Sequence, residues 1–436
     1  MHDAAVEAER PMTPALLLYR AASSLFATFA PRLLAHRATR DKEDPARLAE
    51  RMGRARIPRP DGPLAWLHGA SIGEGLALLP LIDALTRSGA HCLVTTGTLS
   101  SARVVGDRLP PGAIHQFIPL DCPSFARRFL DHWRPDVAIF AESELWPNLI
   151  LETRRRGAPL FLVNARMSEK SHGRWLLARG MATKILGAFD TVFAQGAADA
   201  ARFATLGAPR VNVAGNLKYD VAPPPAAPDK LAQLTAQVGA RPTWVAASTH
   251  EGEEEICLAA DAILRARFPD LLTIIAPRNA RRGREIAALA KQASAQPTMR
   301  SAGDAIAPDT RIFVADTFGE MGLWYRLANV VFVGKSLVAG GGQNPIEPAK
   351  LGAAILHGPS VGNFVDAYAM LDASGGAVRV RDANDLAARL GAFFDDPAQT
   401  RAMARAASGA VERLSGTTAV VMAAVAPFLA SHGAAR

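Results

Sequence analysis

Val330-Val331-Phe332-Val333-Gly334, followed shortly by Gly340-Gly341-Gly342-Gln343-Asn344-Pro345-Ile346-Glu347-Pro348, is the stretch that decides how this chain is built. An apolar, valine-rich run without polar alternation reads as a strand buried on both faces, as in parallel sheets. The glycines after it let the backbone approach a ligand closely. A helix then starts, with Pro345 near its first turn and Glu347 inside that turn. Backbone amides at a helix start attract phosphate and a carboxylate there repels it, so Glu347 is better placed to accept hydrogen bonds from sugar hydroxyls. The plainer reading is a glycine-rich turn with an acidic helix start. In both readings, strand, turn and helix make one repeat of an α/β sheet.

The same repeat recurs on both sides of this stretch. Apolar strands are expected at 63–68, 91–95, 113–119, 135–140, 159–164 and 191–195, with a helix over 73–85. A stiff proline-rich run, Val221-Ala222-Pro223-Pro224-Pro225-Ala226-Ala227-Pro228, interrupts the pattern. It restarts with strands at 243–248, 271–276, 312–315, 330–333 and 353–356. The expected class is α/β, with two doubly wound Rossmann-like domains facing a cleft and ligands held beyond the carboxyl ends of the strands. The expected boundaries are an apolar and basic segment at 1–42, an N-terminal domain at 43–221 and a linker at 222–229. A C-terminal domain follows at 230–415, and a last helix at 416–436 is suited to packing back on the N-terminal domain.

A chain of 436 residues suits two domains of ordinary size, and 49% apolar with 21% charged residues marks a folding sequence. The formal charge of +8 favours anionic partners. Aromatics are only 6%, and neither zinc-finger spacing nor an aromatic ribonucleoprotein motif occurs, so no nucleic acid is expected as a partner. Cys92, Cys122 and Cys257 lie far apart, which points away from disulfides and structural zinc and toward a reducing compartment.

From Thr13 to Leu34 the chain is largely apolar, broken by Arg20 and Pro31-Arg32, and its longest uncharged run is shorter than the roughly 20 residues of a spanning helix. No small-residue cleavage site marks a secretory signal. Arg32, His36, Arg37, Arg40, Lys42, Arg47, Arg51, Arg54, Arg56 and Arg59 follow. An apolar helix trailed by cations fits the surface of an anionic membrane; the competing reading is a helix packed on the protein itself.

The strand ends carry the candidate chemistry. The first strand runs into His68-Gly69-Ala70-Ser71-Ile72-Gly73-Glu74-Gly75, where glycines flank a carboxylate at a helix start and Glu74 can project into the cleft. The spacing is not the dinucleotide fingerprint. Glu142 and Glu144, in Ala141-Glu142-Ser143-Glu144-Leu145-Trp146-Pro147-Asn148, also follow a strand, and helix capping accounts for one of them. Arg166 lies in a polar cluster, Asn164 to Ser171, and Lys218 in Gly215-Asn216-Leu217-Lys218-Tyr219-Asp220. Beyond the linker, Ser248 offers a small hydroxyl for phosphate, while Glu251, Glu253 and Glu254 read as capping and surface acids. Arg278 is the best guanidinium for bidentate phosphate pairing, and Arg281, Arg282 and Arg284 read as a solvated face. Asp316 to Tyr325 has small residues that admit a base and ribose.

Taken together and in order, Ser71-Ile72-Gly73-Glu74, Glu142-Ser143-Glu144-Leu145-Trp146-Pro147-Asn148, Asn164-Ala165-Arg166-Met167-Ser168, Gly215 to Asp220, Asp316-Thr317-Phe318-Gly319-Glu320-Met321 and Gly341 to Pro348 closely resemble the 3-deoxy-D-manno-octulosonic acid (Kdo) transferases of lipopolysaccharide assembly. The resemblance runs from the N-terminal apolar segment to about Phe364. It implies a GT-B fold, CMP-Kdo as donor, a lipid A precursor (lipid IVA) as acceptor, and the cytoplasmic face of the inner membrane. One departure stands out: Asn279 follows Pro277-Arg278 where many relatives have histidine, which puts an imidazole contact to the donor in doubt.

A sugar hydroxyl needs a base as it attacks the anomeric carbon, whereas CMP leaves on its own phosphate charge. One carboxylate and a cationic or amide-rich phosphate site therefore suffice, with no cofactor and no metal; no Asp-x-Asp metal motif is present. By analogy with the family, Glu74 is the base of an inverting transfer, with Glu144 or Glu142 in support. The resemblance implies Ser248, Arg278, Gly319, Met321, Asn344 and Glu347 on the donor side. Ser71, Gly73, Glu142, Arg166 and Lys218 are expected around the acceptor. The rival readings are a nucleotide-sugar 2-epimerase of the same fold and a non-catalytic membrane-surface protein that binds nucleotide or lipid.

Overall fold

The computed structural model describes residues 12–430; the outer parts of the segments expected at 1–42 and 416–436 lie outside the described residues. The chain divides into two compact units. One contains the residues up to Val221 and those from Ser415 on; the other runs from Ala222 to Leu414.

The first unit holds a seven-stranded parallel sheet: β1 (Leu64–His68), β2 (His91–Thr96), β3 (Ala113–Phe117), β4 (Val137–Ala141), β5 (Leu160–Ala165), β6 (Thr191–Ala194) and β7 (Val211–Val213), in the order β3-β2-β1-β4-β5-β6-β7. The second sheet has β8 (Thr243–Thr249), β9 (Leu272–Pro277), β10 (Pro297–Met299), β11 (Ile312–Val314), β12 (Val330–Val333), β13 (Ala354–His357) and β14 (Ala377–Arg379), in the order β10-β11-β9-β8-β12-β13-β14. In each sheet the strand order reverses beside the first strand, between β1 and β4 and between β8 and β12. Connections leave in opposite directions at such a point, so the strand ends there open a crevice.

Both faces of these sheets are covered. Leu64, Trp66 and Phe140 point into one core with Phe129 and Leu149, while Ala65 and Leu67 point into the other with Leu81 and Leu85. The expected parallel, doubly wound architecture is present. The sequence pattern missed β7, β10 and β14, which are edge strands of three residues, too short for a periodic signal. The expected helix over 73–85 is two helices, α2 (Ile72–Ala77) and α3 (Leu79–Arg87). Pro80, without an N–H, withholds the bond that would continue the first into the second.

Two helices complete the first unit from the ends of the described chain. Pro14–Ala38 forms α1, and Thr417–Ala430, here α5, lays Val421, Val425 and Leu429 against the core of β1, β2 and α3. Each such buried side chain contributes about 1.5–3 kcal/mol. Residues 397–430 are, by length and composition alone, long and apolar enough to cross a membrane. They are nevertheless two helices, Pro397–Leu414 and α5, broken at Ser415-Gly416, where Gly416 has a left-handed φ of 109°. Asp220 clasps this break by accepting from Gly416 N and Thr418 N.

Helix α1 docks through polar groups as much as apolar ones. Tyr19 donates to Asp121 (2.8 Å), Asn148 donates to Ser23 (3.1 Å), and Arg20 pairs with the buried Glu152 (3.0 Å). Asp121 also accepts from the backbone N–H groups of Asn148 (3.0 Å) and Leu149 (2.8 Å), so it caps the helix α4 (Pro147–Arg155) from a distant loop. Burial pushes the Asp121 carboxyl up, against these donors. Replacing Asp121 with Ala removes a cap and an anchor together, and is expected to destabilise the first unit by about 2–3 kcal/mol. Calorimetry would show a melting transition lowered by about 5–10 °C; a shift below about 2 °C would show that water replaces the carboxylate.

Candidate active site

In the first unit the candidate residues gather at the crevice between β1 and β4. Ser71 caps α2, and Glu74 closes a capping box. Its carboxylate accepts from Ala70 N (2.7 Å), Ser71 N (3.4 Å) and the Ser71 hydroxyl (2.9 Å), while Ser71 Oγ accepts from Glu74 N (3.3 Å). Gly69 permits this: a Cβ there would stand 2.9 Å from that of Glu74. Gly73 faces open space, with only Ser71 Oγ nearby at 3.9 Å, so room for a ligand remains beside the carboxylate.

Glu142 follows β4 with a left-handed φ of 51°, a conformation seldom adopted without a functional or structural reason. Its carboxylate lies 3.7 Å from the Lys218 ammonium. Burial pushes its pKa up; Lys218 opposes this, Glu74 adds to it, and Arg166 opposes it. Glu74, Glu142, Arg166 and Lys218 thus form one electrostatic group. Lys218 sits on a short 3-10 turn (Leu217–Tyr219) set by three amide side chains. Asn164, itself at φ 52°, accepts from Leu217 N (3.1 Å), Gln195 donates to Asn164 O (3.0 Å), and Asn216 donates to Gln195 (3.2 Å) and caps the turn. Gln195 reads in the sequence only as the end of a strand.

Glu144 is turned elsewhere. It accepts from the Trp146 indole (2.6 Å) and lies 3.3 Å from Nε2 of the buried His68, whose Nδ1 faces Thr95. Burial raises its carboxyl, but the His68 and Trp146 contacts outweigh that and hold it below the usual range. Neither Glu142 nor Glu144 caps α4; Asp121 does, which corrects the capping expectation for this pair.

The second unit has its own cluster at the crevice between β8 and β12. Ser248, next to last in β8, has a φ of 55° and bonds Tyr325, a buried residue on the helix Met321–Leu327. Burial pushes the Tyr325 phenol up, with Glu347 and Tyr368 adding to it, while the Ser248 bond and Arg278 pull the other way. Ser248, Arg278, Glu347 and Tyr325 therefore lie together, and Tyr325 is the member that sequence reasoning did not single out. Asn344 accepts from Ile346 N (3.0 Å) and donates to Glu347 (3.4 Å), fixing the start of the short helix Ile346–Lys350. The glycine loop before it is laced by Ser360 and Asn363, and a Cβ at Gly341 would meet the Asn363 amide at 2.9 Å. Gly319 (φ 77°) precedes the helix that Met321 opens, one turn before Tyr325.

Asn279 caps its own turn by accepting from Arg281 N (3.2 Å). Two surface readings need correction. Glu253 and Glu254 are both fully buried, and Arg282 is an ion-pair partner of Glu254 (2.8 Å) rather than part of a solvated face. Glu253 accepts from four backbone N–H groups, of His250 (3.0 Å), Lys335 (2.6 Å), Ser336 (2.8 Å) and Leu337 (2.9 Å). Three of its four partners lie about 80 residues away in the sequence, beyond the reach of any local pattern.

Residues 46–221 match a family model described as 3-deoxy-D-manno-octulosonic-acid transferase (kdotransferase). The 3-deoxy-D-manno-octulosonic acid transferase of Bordetella pertussis is 36% identical over 393 residues, 87% of this chain and 91% of that one. That of Haemophilus influenzae is 34% identical over 347 residues, 78% and 81% of the two chains. This chain belongs to the Kdo transferase family. It is a glycosyltransferase of GT-B class, built from two doubly wound units. A UDP-GlcNAc 2-epimerase from Neisseria meningitidis superposes with a TM-score of 0.53 at 12% identity, covering 82% of this chain and 99% of that one, a likeness of fold alone. Among the described residues no three His, Cys, Asp or Glu side chains converge to hold a metal ion.

Proposed function

We propose that this Kdo transferase moves Kdo from CMP-Kdo to a lipid A precursor, lipid IVA, with inversion and without a metal. The observation that carries the reading is the group formed by Glu74, Glu142, Arg166 and Lys218 at the strand-order reversal of the first unit. An acceptor hydroxyl held there by Lys218 and Arg166 gives its proton to Glu74 as its oxygen attacks the anomeric carbon of the donor. In the second unit, Ser248, Arg278, Gly319, Met321, Asn344 and Glu347 hold the donor, with Glu347 and Asn344 on sugar hydroxyls and Arg278 on phosphate. CMP departs with the bonding pair on its phosphate oxygen and needs no acid.

A lipid acceptor calls for a membrane surface, and α1 supports that role. Leu17, Leu18, Leu25, Phe26, Phe29 and Leu33 are exposed, while Leu16, Ala30 and Leu34 pack inward. Arg32, His36, Arg40 and Lys42 stand exposed toward and beyond its C-terminal end. An outward apolar face trailed by cations suits lying on anionic lipid at the cytoplasmic face of the inner membrane. The deciding experiment incubates the protein with freshly generated CMP-Kdo and a tetraacyl lipid A precursor, with and without EDTA, and weighs the lipid by mass spectrometry. A gain of one or more Kdo units that survives EDTA is expected. A lipid of unchanged mass, with donor binding intact, would sink the acceptor assignment.

A further inference from the structure

Four non-glycine residues at the carboxyl ends of strands have left-handed backbones: Glu142, Asn164, Ser248 and Lys335. The first three belong to the clusters described above. Lys335 follows β12 by two residues, across the strand-order reversal from Ser248, with φ 58°. A lysine gains nothing from that conformation, and glycine adopts it without cost.

The residue is held there from both sides. Its N–H is one of the four taken by Glu253, and its carbonyl accepts from Gly342 N (2.7 Å), inside the glycine loop that leads to Asn344 and Glu347. Its aliphatic stem runs along Gly340, where an added Cβ would stand 2.7 Å from Lys335 Cγ and 2.8 Å from Cε. Gly340 thus leaves the room in which the stem lies. Several other cations of the second unit are paired: Arg282 with Glu254 and Glu285, and Lys230 and Arg300 with Glu320. Lys335, a half-buried residue, has by contrast no ion-pair or hydrogen-bond partner for its ammonium among the described residues. A strained backbone is retained where the surroundings over-determine it for a function, and an ammonium without a partner is available to a counter-charge.

We infer that the Lys335 ammonium binds an oxyanion of the donor, acting as a second cation beside Arg278 at the mouth of the second sheet. The inference rests on the CMP-Kdo reading, whose donor carries two anionic groups, the phosphodiester and the sugar carboxylate. Lysine suits this place as a mobile point charge on a long stem.

The backbone supplies a test in which binding and stability move in opposite directions. Lys335→Gly removes the cation and relieves the left-handed strain. It is expected to raise the KM for CMP-Kdo about 10- to 100-fold with kcat within about threefold. Its melting temperature is expected to rise by about 2–3 °C. Lys335→Arg keeps the charge and is expected to hold KM within about threefold of the parent. Titration with CMP alone identifies the oxyanion: weaker CMP binding by Lys335→Gly assigns the phosphate, and unchanged CMP binding with raised donor KM assigns the sugar carboxylate. A donor KM within twofold of the parent, or a rise accompanied by a lower melting temperature, would overturn the inference. Absence of CMP-Kdo-dependent transfer by the unmodified protein would instead remove the donor reading beneath it.

Discussion

Replacing Glu74 with Gln is expected to lower the turnover of Kdo transfer by about 10²- to 10⁴-fold, the range general-base catalysis contributes. The substitution is chosen because Glu74 serves two purposes in the geometry. It is the acid of the α2 capping box, bonded to Ala70 N, Ser71 N and the Ser71 hydroxyl, and it is the candidate proton acceptor. Glutamine keeps an acceptor oxygen for the helix start, so stability should fall by less than about 1 kcal/mol. Glu74→Ala loses both functions and should add about 1 kcal/mol of destabilisation to the same loss of turnover. A Gln variant that retains turnover within tenfold would show Glu74 to be a cap only. Glu142 would then take the role of base, since burial pushes its carboxyl up and makes it the better proton acceptor. Single-turnover measurements at saturating donor and acceptor, alongside a melting curve, separate these outcomes.

The largest loss of stability is expected from Glu253→Ala. The carboxylate is fully buried and satisfies four backbone N–H groups, three of them in the loop after β12. Removing it leaves those donors with neither protein nor bulk water, each at a cost of about 1–3 kcal/mol before relaxation. A net destabilisation of about 4–5 kcal/mol of the second unit follows, which corresponds to a melting transition lowered by about 10 °C or more. Glu253→Gln brings an amide NH₂ against N–H donors and should recover only part of the loss. Calorimetry resolves the effect, and a shift under about 2 °C would mean that the loop 334–337 finds other acceptors. Donor binding should weaken in parallel, since the same loop leads into Asn344 and Glu347.

What the sequence revealed and what it withheld follow from the range of the interactions. Strands such as Leu64–His68 and Val330–Val333 are buried along their whole length, so unbroken apolar runs announced them. Edge strands such as Val211–Val213 are largely exposed and three residues long, and leave no pattern. Glu74 and its flanking glycines were visible because a capping box is local. Asp121, Glu253 and the Asn164–Gln195–Asn216 chain act on backbone far away in sequence, and an acid that bonds a distant loop looks like any surface acid. The same limit explains Glu142 and Glu144. Two residues apart, they were indistinguishable as letters, yet one meets Lys218 and the other His68.

The place of α5 in the first unit bears on how the protein is made. A ribosome delivers β1 to β7 early, but Val421, Val425 and Leu429, which cover the apolar face of β1, β2 and α3, emerge only after the whole second unit. That second unit is continuous in sequence and has all its strands before α5 is translated. The first unit must wait with one face of its sheet incompletely covered. During synthesis that face, and not the later-made unit, is the surface most in need of a chaperone.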